Sequence, residues 1–262
     1  DVQTATTYGI IIQGNNIEGM RLDAPLAATG IGIQGDNNRI LSNKITNSNQ
    51  EGITLPPGSS GNLVQDNQVS ASGNRSLVVF PLGGIGIGGD NNQVLGNKIT
   101  DTTGPGIGIS GKSNGVTGNK VSYSTENGIV LAPIATGNLI KDNMVSDSGK
   151  NGIAAMQPLA GPTGATDNTI IENKVSTSAD FDLFDWSAPS PLENTWTDNT
   201  YKTSNFSVES TETTRFEGRD WSRPALPSSS LGFAPCFSPG SSLLWTNLYP
   251  DVCSMVIDFE RA

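Results

Sequence analysis

One short phrase constrains this chain more than any other feature: Asn, any residue, an aliphatic, two variable residues, Asn, any residue, an aliphatic. It reads NRILSNKI from Asn38, NLVQDNQV from Asn62, NQVLGNKI from Asn92 and NGVTGNKV from Asn114. It returns as NLIKDNMV from Asn138, NTIIENKV from Asn168 and, degenerating, NTWTDNTY from Asn194. The second asparagines, Asn43, Asn67, Asn97, Asn119, Asn143, Asn173 and Asn199, are separated by 24, 30, 22, 24, 30 and 26 residues. A period in the twenties, built on strand-like units with no helical run, is that of a solenoid of stacked parallel strands.

The chemistry of the phrase predicts how each coil turns. Its aliphatics flank a two-residue corner such as Ser42-Asn43 or Gly118-Asn119, and asparagine tolerates the left-handed backbone that so tight a corner needs. One strand then ends at Ile40-Leu41 and the next begins at Lys44-Ile45. Coils stacked ~4.8 Å apart bring successive asparagines within reach of one another as a ladder of side-chain amides. A third strand precedes each phrase: GIII from Gly9, GIGI from Gly30, GITL from Gly52, GIGI from Gly84 and Gly106, and GIVL from Gly128. GIAA from Gly152 and DFDL from Asp180 are its weaker last copies. Three strands per turn, one tight corner and two variable ones describe an all-β fold, a right-handed parallel β-helix of about eight coils. It is expected over residues 1–203, with residues 204–262 as a C-terminal extension packed on it. On these motifs, residues 8–203 resemble the pectate-lyase-like superfamily, in its parallel β-helix repeat (NosD-like) branch. The resemblance implies the fold and an association with carbohydrate, but no single activity, because this scaffold carries many.

Only 35% of the residues are hydrophobic. That suffices for a β-helix, which fills a narrow core with a few inward side chains per coil. A formal charge of −10 argues against nucleic acid or an anionic membrane as partner, and no stretch is apolar enough to span a bilayer. The chain opens on Asp1 without a methionine, as a processed or trimmed chain would. Its amino end, lacking an amphipathic plug before Tyr8, is expected to be either a docking site for a partner or the cut edge of a larger protein. Cys236 and Cys253, the two cysteines, both fall in the tail. A disulfide between them would tie the tail down and imply a secreted or cell-surface protein; two buried free thiols are the alternative. The apolar stretch LLWTNLYPDVCSMVIDF must cover something. The outward residues Leu41, Leu63, Leu95, Leu139 and Ile171 of the second strand offer a target, either for the tail or for another copy of the chain in a homo-oligomer.

Histidine is absent, which removes Ser-His-Asp and Cys-His systems and imidazole-ligated zinc. The histidine with tyrosine of alginate epimerases and lyases of this fold, and the histidine near the aspartates of polygalacturonases, therefore have no counterpart. Two insertions, residues 71–82 and 157–167, flank the glycine-rich strand and would rise as walls on the side where carbohydrate lies in this superfamily. The middle positions of that strand should floor the groove. They run Ile11, Gly32, Thr54, Gly86, Gly108, Val130, Ala154 and Asp182, bland until the last.

The dense constellation is Asp180, Asp182 and Asp185 with Phe181, Phe184 and Trp186. Alternation puts Phe181 and Leu183 inward and Asp182 outward. Three readings are open: a polar cap on the final coil, a calcium site of oxygen ligands, or a glycosidase pair of carboxylates with Trp186 and Phe184 holding a sugar ring. Asp90 and Glu126 rim the groove as candidate substrate ligands, beside Asp36 and Glu51, although GDNN around Asp36 and Asp90 is also good turn chemistry. Arg75, on the first wall, stands where the resemblance to pectate lyases implies an arginine base. Trp196 takes a slot held by Ile or Val in earlier coils, as a plug on the core. Lys44, Lys98, Lys120 and Lys174 alternate with Thr or Ser on the third strand, which excludes the two flat hydroxyl ranks of an ice-binding face and keeps that face soluble. Two functions follow. One is an extracellular carbohydrate-active protein, a lyase, hydrolase or epimerase relative acting on or binding a polysaccharide or oligosaccharide; the other is a non-catalytic surface, tailspike or filament solenoid.

Overall fold

A computed structural model of the chain describes residues 7–19, 29–73, 83–157, 164–188 and 193–207. Among the described residues every regular element is a β-strand, and nearly all are three residues long. All but two stack into three parallel sheets, and Thr7–Tyr8 pairs with Gly35–Asp36 in a separate parallel pair. The first holds Ile31–Gly32, Ile53–Leu55, Ile85–Ile87, Ile107–Ile109, Ile129–Leu131, Ile153–Ala155 and Leu183–Asp185. The second holds Ile11–Gln13, Arg39–Leu41, Leu63–Gln65, Gln93–Leu95, Gly115–Thr117, Leu139–Lys141, Thr169–Ile171 and Thr195–Thr197. The third holds Asn16–Glu18, Lys44–Thr46, Gln68–Ser70, Lys98–Thr100, Lys120–Ser122, Met144–Ser146 and Lys174–Ser176. The β-helix expected from the repeat is the fold. Strands of the second and third sheets each send their middle residue inward, such as Ile40 and Ile45, whereas first-sheet strands send both ends, such as Ile53 and Leu55.

The asparagine ladder is double. Asn97 donates its backbone N–H and its side-chain Nδ2 to Asn119 Oδ1 (2.9 and 3.0 Å), and Asn119 does the same to Asn143. A parallel ladder joins Asn38, Asn62, Asn92, Asn114, Asn138, Asn168 and Asn194 in the same way at the entrance to the second sheet. The expected role of asparagine at the corner needs one correction. The left-handed residue is the one before the ladder asparagine: Ser42, Asp66, Gly96, Gly118, Asp142, Glu172 and Asp198 all have φ between 52° and 67°. Asparagine instead occupies the buried position, where an amide with one acceptor and two donors can satisfy the backbone of neighbouring coils.

The glycine that opens each first-sheet strand is a matter of space. A methyl group on Gly106 would lie 2.2 Å from Val121 Cγ1 and 2.7 Å from Gly128 O. First and third sheets approach too closely there for any Cβ. The last member of this rank is Asp182, which follows Gly152 in the stack at a height where the third sheet has ended.

Ile11 does not begin the first sheet. It pairs with Arg39 in the second, so the groove floor starts at Gly32. Second-sheet outward residues alternate in kind. Leu63 stacks between Arg39 and Gln93, and Leu41 is followed by Gln65 and Leu95, so no continuous apolar strip forms there. The cysteines, Arg75 and the apolar tail stretch lie outside the described residues. At the far end Trp196 stacks on Ile170, is buried, and packs its ring 5.0 Å from Phe206, closing the core as a plug.

Candidate functional site

The outward rank of the first sheet runs Gly32, Thr54, Gly86, Gly108, Val130, Ala154 and Phe184 in unbroken register. It is partly open at Thr54, Gly86 and Phe184 and closed to solvent at Gly108, Val130 and Ala154. No member of the rank is charged. The eighth floor position, read as Asp182, is therefore Phe184, two residues further along, with Leu183 inward as expected. Leu183 and Asp185 point inward and Phe184 outward.

Asp182 and Asp185 are buried, at 2% and 1% exposure, and their oxygens are engaged. Asp182 Oδ1 accepts the N–H of Ser178 at 3.2 Å, and Oδ2 accepts those of Lys202 and Thr203 at 2.8 and 3.3 Å. Asp185 Oδ1 accepts Ser187 N–H and Oγ–H at 2.9 and 2.6 Å. Its Oδ2 accepts Trp196 Nε1–H at 2.7 Å and Asn194 Nδ2 at 3.1 Å. The two carboxylates thus tie residues 194–203 across the end of the core. A buried carboxylate needs donors on its oxygens, and the final coil supplies them. Asp182, expected to point outward, is therefore buried in the end of the core. Asp180, by contrast, is exposed. Among the described residues no three Asp, Glu, His or Cys side chains converge as a metal site, so the calcium triad of Asp180, Asp182 and Asp185 is not assembled.

Around these buried acids the surface is aromatic. Phe181 and Phe184 are half-buried and Trp186 is 53% exposed. Ring centroids lie 6.1 Å apart for Phe181 and Phe184 and 6.2 Å for Phe184 and Trp186, which makes one strip across the outside of the last coil. Beside it opens a depression of about 370 Å³ whose lining includes Met156, Gln157, Ala165, Trp186, Ser187 and Glu193. Glu193 and Gln157 were not singled out in the sequence. They reach the depression because the chain enters and leaves the last two coils beside it, a proximity that no local motif announces.

Other candidate ligands are placed elsewhere. Asp90 Oδ1 accepts the N–H of Lys112 at 2.7 Å, and Asp36 Oδ1 that of Ser60 at 2.9 Å, so GDNN acts as a corner clasp between coils. Glu126 pairs with Lys150 at 3.3 Å on the rim. Glu51 lies against the groove floor: a Cβ on Gly86 would be 3.4 Å from its Oε1. Burial pushes its carboxyl above the ordinary glutamate range, against opposing hydrogen bonds from its own backbone and from Thr29. The strip at Phe184 is five strand steps away from Glu51's coil, or roughly 24 Å at the usual strand spacing.

Comparison with known proteins agrees with this architecture. The family model described as "Right handed beta helix region" matches residues 2–132 and 82–211, and the chain belongs to that family. Among solved structures it is similar to the A-module of the mannuronan C-5 epimerase AlgE4 of Azotobacter vinelandii (TM-score 0.61, 12% identity), covering 80% of this chain and 58% of that one. The periplasmic alginate epimerase AlgG matches with TM-score 0.53 and 15% identity over 70% of this chain and 45% of its own. The Dettilon tailspike protein matches with TM-score 0.54 and 18% identity over 74% and 42%. The chain thus spans about half the length of these structures, and at such identities the likeness is one of fold. No curated protein matches its sequence.

Proposed function

We propose that this β-helix binds a polysaccharide, holding sugar rings on the strip Phe181, Phe184 and Trp186 and in the adjoining depression, outside the cell or on its surface. The observation that carries the reading is the exposed Trp186 at the edge of that depression. A large aromatic face left open to water stacks on the apolar face of a sugar, while Gln157, Ser187 and Glu193 offer polar groups to ring hydroxyls. Two of the neighbours are by name epimerases of mannuronan and alginate and one is a tailspike, which supports a carbohydrate partner in general.

Binding without bond cleavage is favoured over a lyase, hydrolase or epimerase. An acid/base residue must stand within hydrogen-bond reach of the proton it moves. Of the two carboxylates that line the depression, Asp185 is already committed to the coil that carries the strip, which leaves Glu193 without a second carboxylate as acid/base partner.

The test is a tryptophan-fluorescence titration with a panel of neutral and acidic polysaccharides, run beside assays for reducing ends and unsaturated products. A saturable change with at least one polymer is expected, with no products. Trp186→Ala should weaken that binding by about 1–2 kcal/mol, roughly five- to thirty-fold. Titrations that stay flat, or that Trp186→Ala leaves unchanged, overturn the reading; product formation would restore the enzymatic one.

A further inference from the structure

The third sheet presents two outward ranks that run the length of the β-helix. One stacks Lys44, Gln68, Lys98, Lys120, Met144 and Lys174 in strict register. The other stacks Thr46, Ser70, Thr100, Ser122, Ser146 and Ser176. The lysines are exposed and the hydroxyl residues half-exposed. Four of the chain's eight lysines stand in this single rank, in a protein of net charge −10. Lys98 and Lys120 are direct cross-strand neighbours, about 4.8 Å apart in backbone, and like charges so placed repel. The ion pairs among the described residues join Lys141 to Glu172 and Asp142, and Lys150 to Glu126; none relieves this rank. Acidic residues are held at the corners, with Asp66, Asp142 and Glu172 on one side and Asp101 and Asp147 on the other. Among the described residues Glu18, at the amino end of the hydroxyl rank, is the one acid on the face itself.

We propose that this face docks a linear acidic polysaccharide lying along the helix axis, its carboxylates on the lysine rank and its hydroxyls on the Ser/Thr rank. Lys44 and Lys174 are five strand steps apart, so the cationic line extends roughly 24 Å. Charge complementarity selects an anionic partner, and the recurrence of a hydroxyl in all six of these coils and of lysine in four of them selects a repeating polymer over a compact one. A glycan fits better than a nucleic acid. No aromatic side chain lies in either rank to stack a base, and the cations are lysines without the planar fork that suits phosphate. This site is on a different sheet from the aromatic strip, and it stands or falls independently of it.

The experiment measures binding of the full chain to polygalacturonate by calorimetry between about 50 and 200 mM salt, the range in which multivalent charge contacts weaken steeply. A neutral glucan and double-stranded DNA serve as comparison polymers. Wild-type protein should bind polygalacturonate at low salt with an affinity that falls as salt rises. Lys98→Gln/Lys120→Gln should weaken it roughly tenfold and flatten the salt dependence. Lys112→Gln/Lys150→Gln, equal in net charge but off this face, should bind like wild type, as should Trp186→Ala in the salt-dependent component. The proposal is overturned by no binding at low salt, by equal losses in the two lysine pairs, or by DNA binding as tightly through Lys98 and Lys120. A loss confined to Trp186→Ala would also overturn it while leaving the aromatic site intact.

Discussion

Single residues in this chain are set by what the neighbouring coil offers them. Asn119 is an asparagine because Asn97 brings two donors to its oxygen and Val94 O and Asn143 Oδ1 take its amide hydrogens; Ser or Asp could not serve both sides. Burial gives Glu51 a pH signature. Its carboxyl is raised by burial, so the folded chain holds that proton more tightly than the unfolded one. Its contribution to stability is then greatest below the ordinary glutamate range and declines as pH rises through the raised value. Glu51→Gln stays neutral and should remove this decline. Urea midpoints for both proteins, taken in steps from acidic to neutral pH, should diverge in favour of the variant as pH rises. Parallel profiles would mean that Glu51 ionises as it does in the unfolded chain.

At the scale of one element, the last coil shows how a carboxylate becomes structural. Alternation in Asp-Phe-Asp-Leu-Phe-Asp puts Leu183 inward, but by itself it did not say whether Asp182 or Phe184 stands beside Ala154. Pairing with Ile153–Ala155 decided it, and the indole of Trp196 and the amide of Asn194 made burial of Asp185 acceptable. Asp185→Asn keeps the shape but removes an acceptor from a site that gathers four donors. It should cost about 1–3 kcal/mol, the usual penalty for a buried polar group left unpaired. Because each coil touches only its neighbours, the loss should be local. Amide exchange should quicken over residues 193–207 while the coils from Asn92 to Asn143 keep their protection. A uniform rise along the chain would contradict this view of the end.

For the whole molecule, nearest-neighbour stacking means that a coil can be removed without changing the architecture. Asn97 and Asn119 are 22 residues apart and hold equivalent places in the ladder. Deleting residues 97–118 joins Gly96 to Asn119 and lets Asn67 meet Asn119 in its place. The shortened chain should keep a β-rich circular dichroism spectrum and unfold cooperatively at somewhat lower denaturant, whereas a deletion of half that length should fail to fold. The coil count, the asparagine ladders, the inward aliphatics and the Trp196 plug were all legible in the sequence, because periodicity, corner chemistry and side-chain alternation are local properties. Local pattern could not say that the Gly9 stretch pairs in the second sheet, that Phe184 and not Asp182 faces out, or that Glu193 borders the depression by Trp186. Those depend on the register of one coil against the next: a two-residue shift keeps the inward set but changes which outward side chain joins the floor. The repeat alone therefore determined the helix and its length, while pairing between coils decided which of its side chains meet solvent and a ligand.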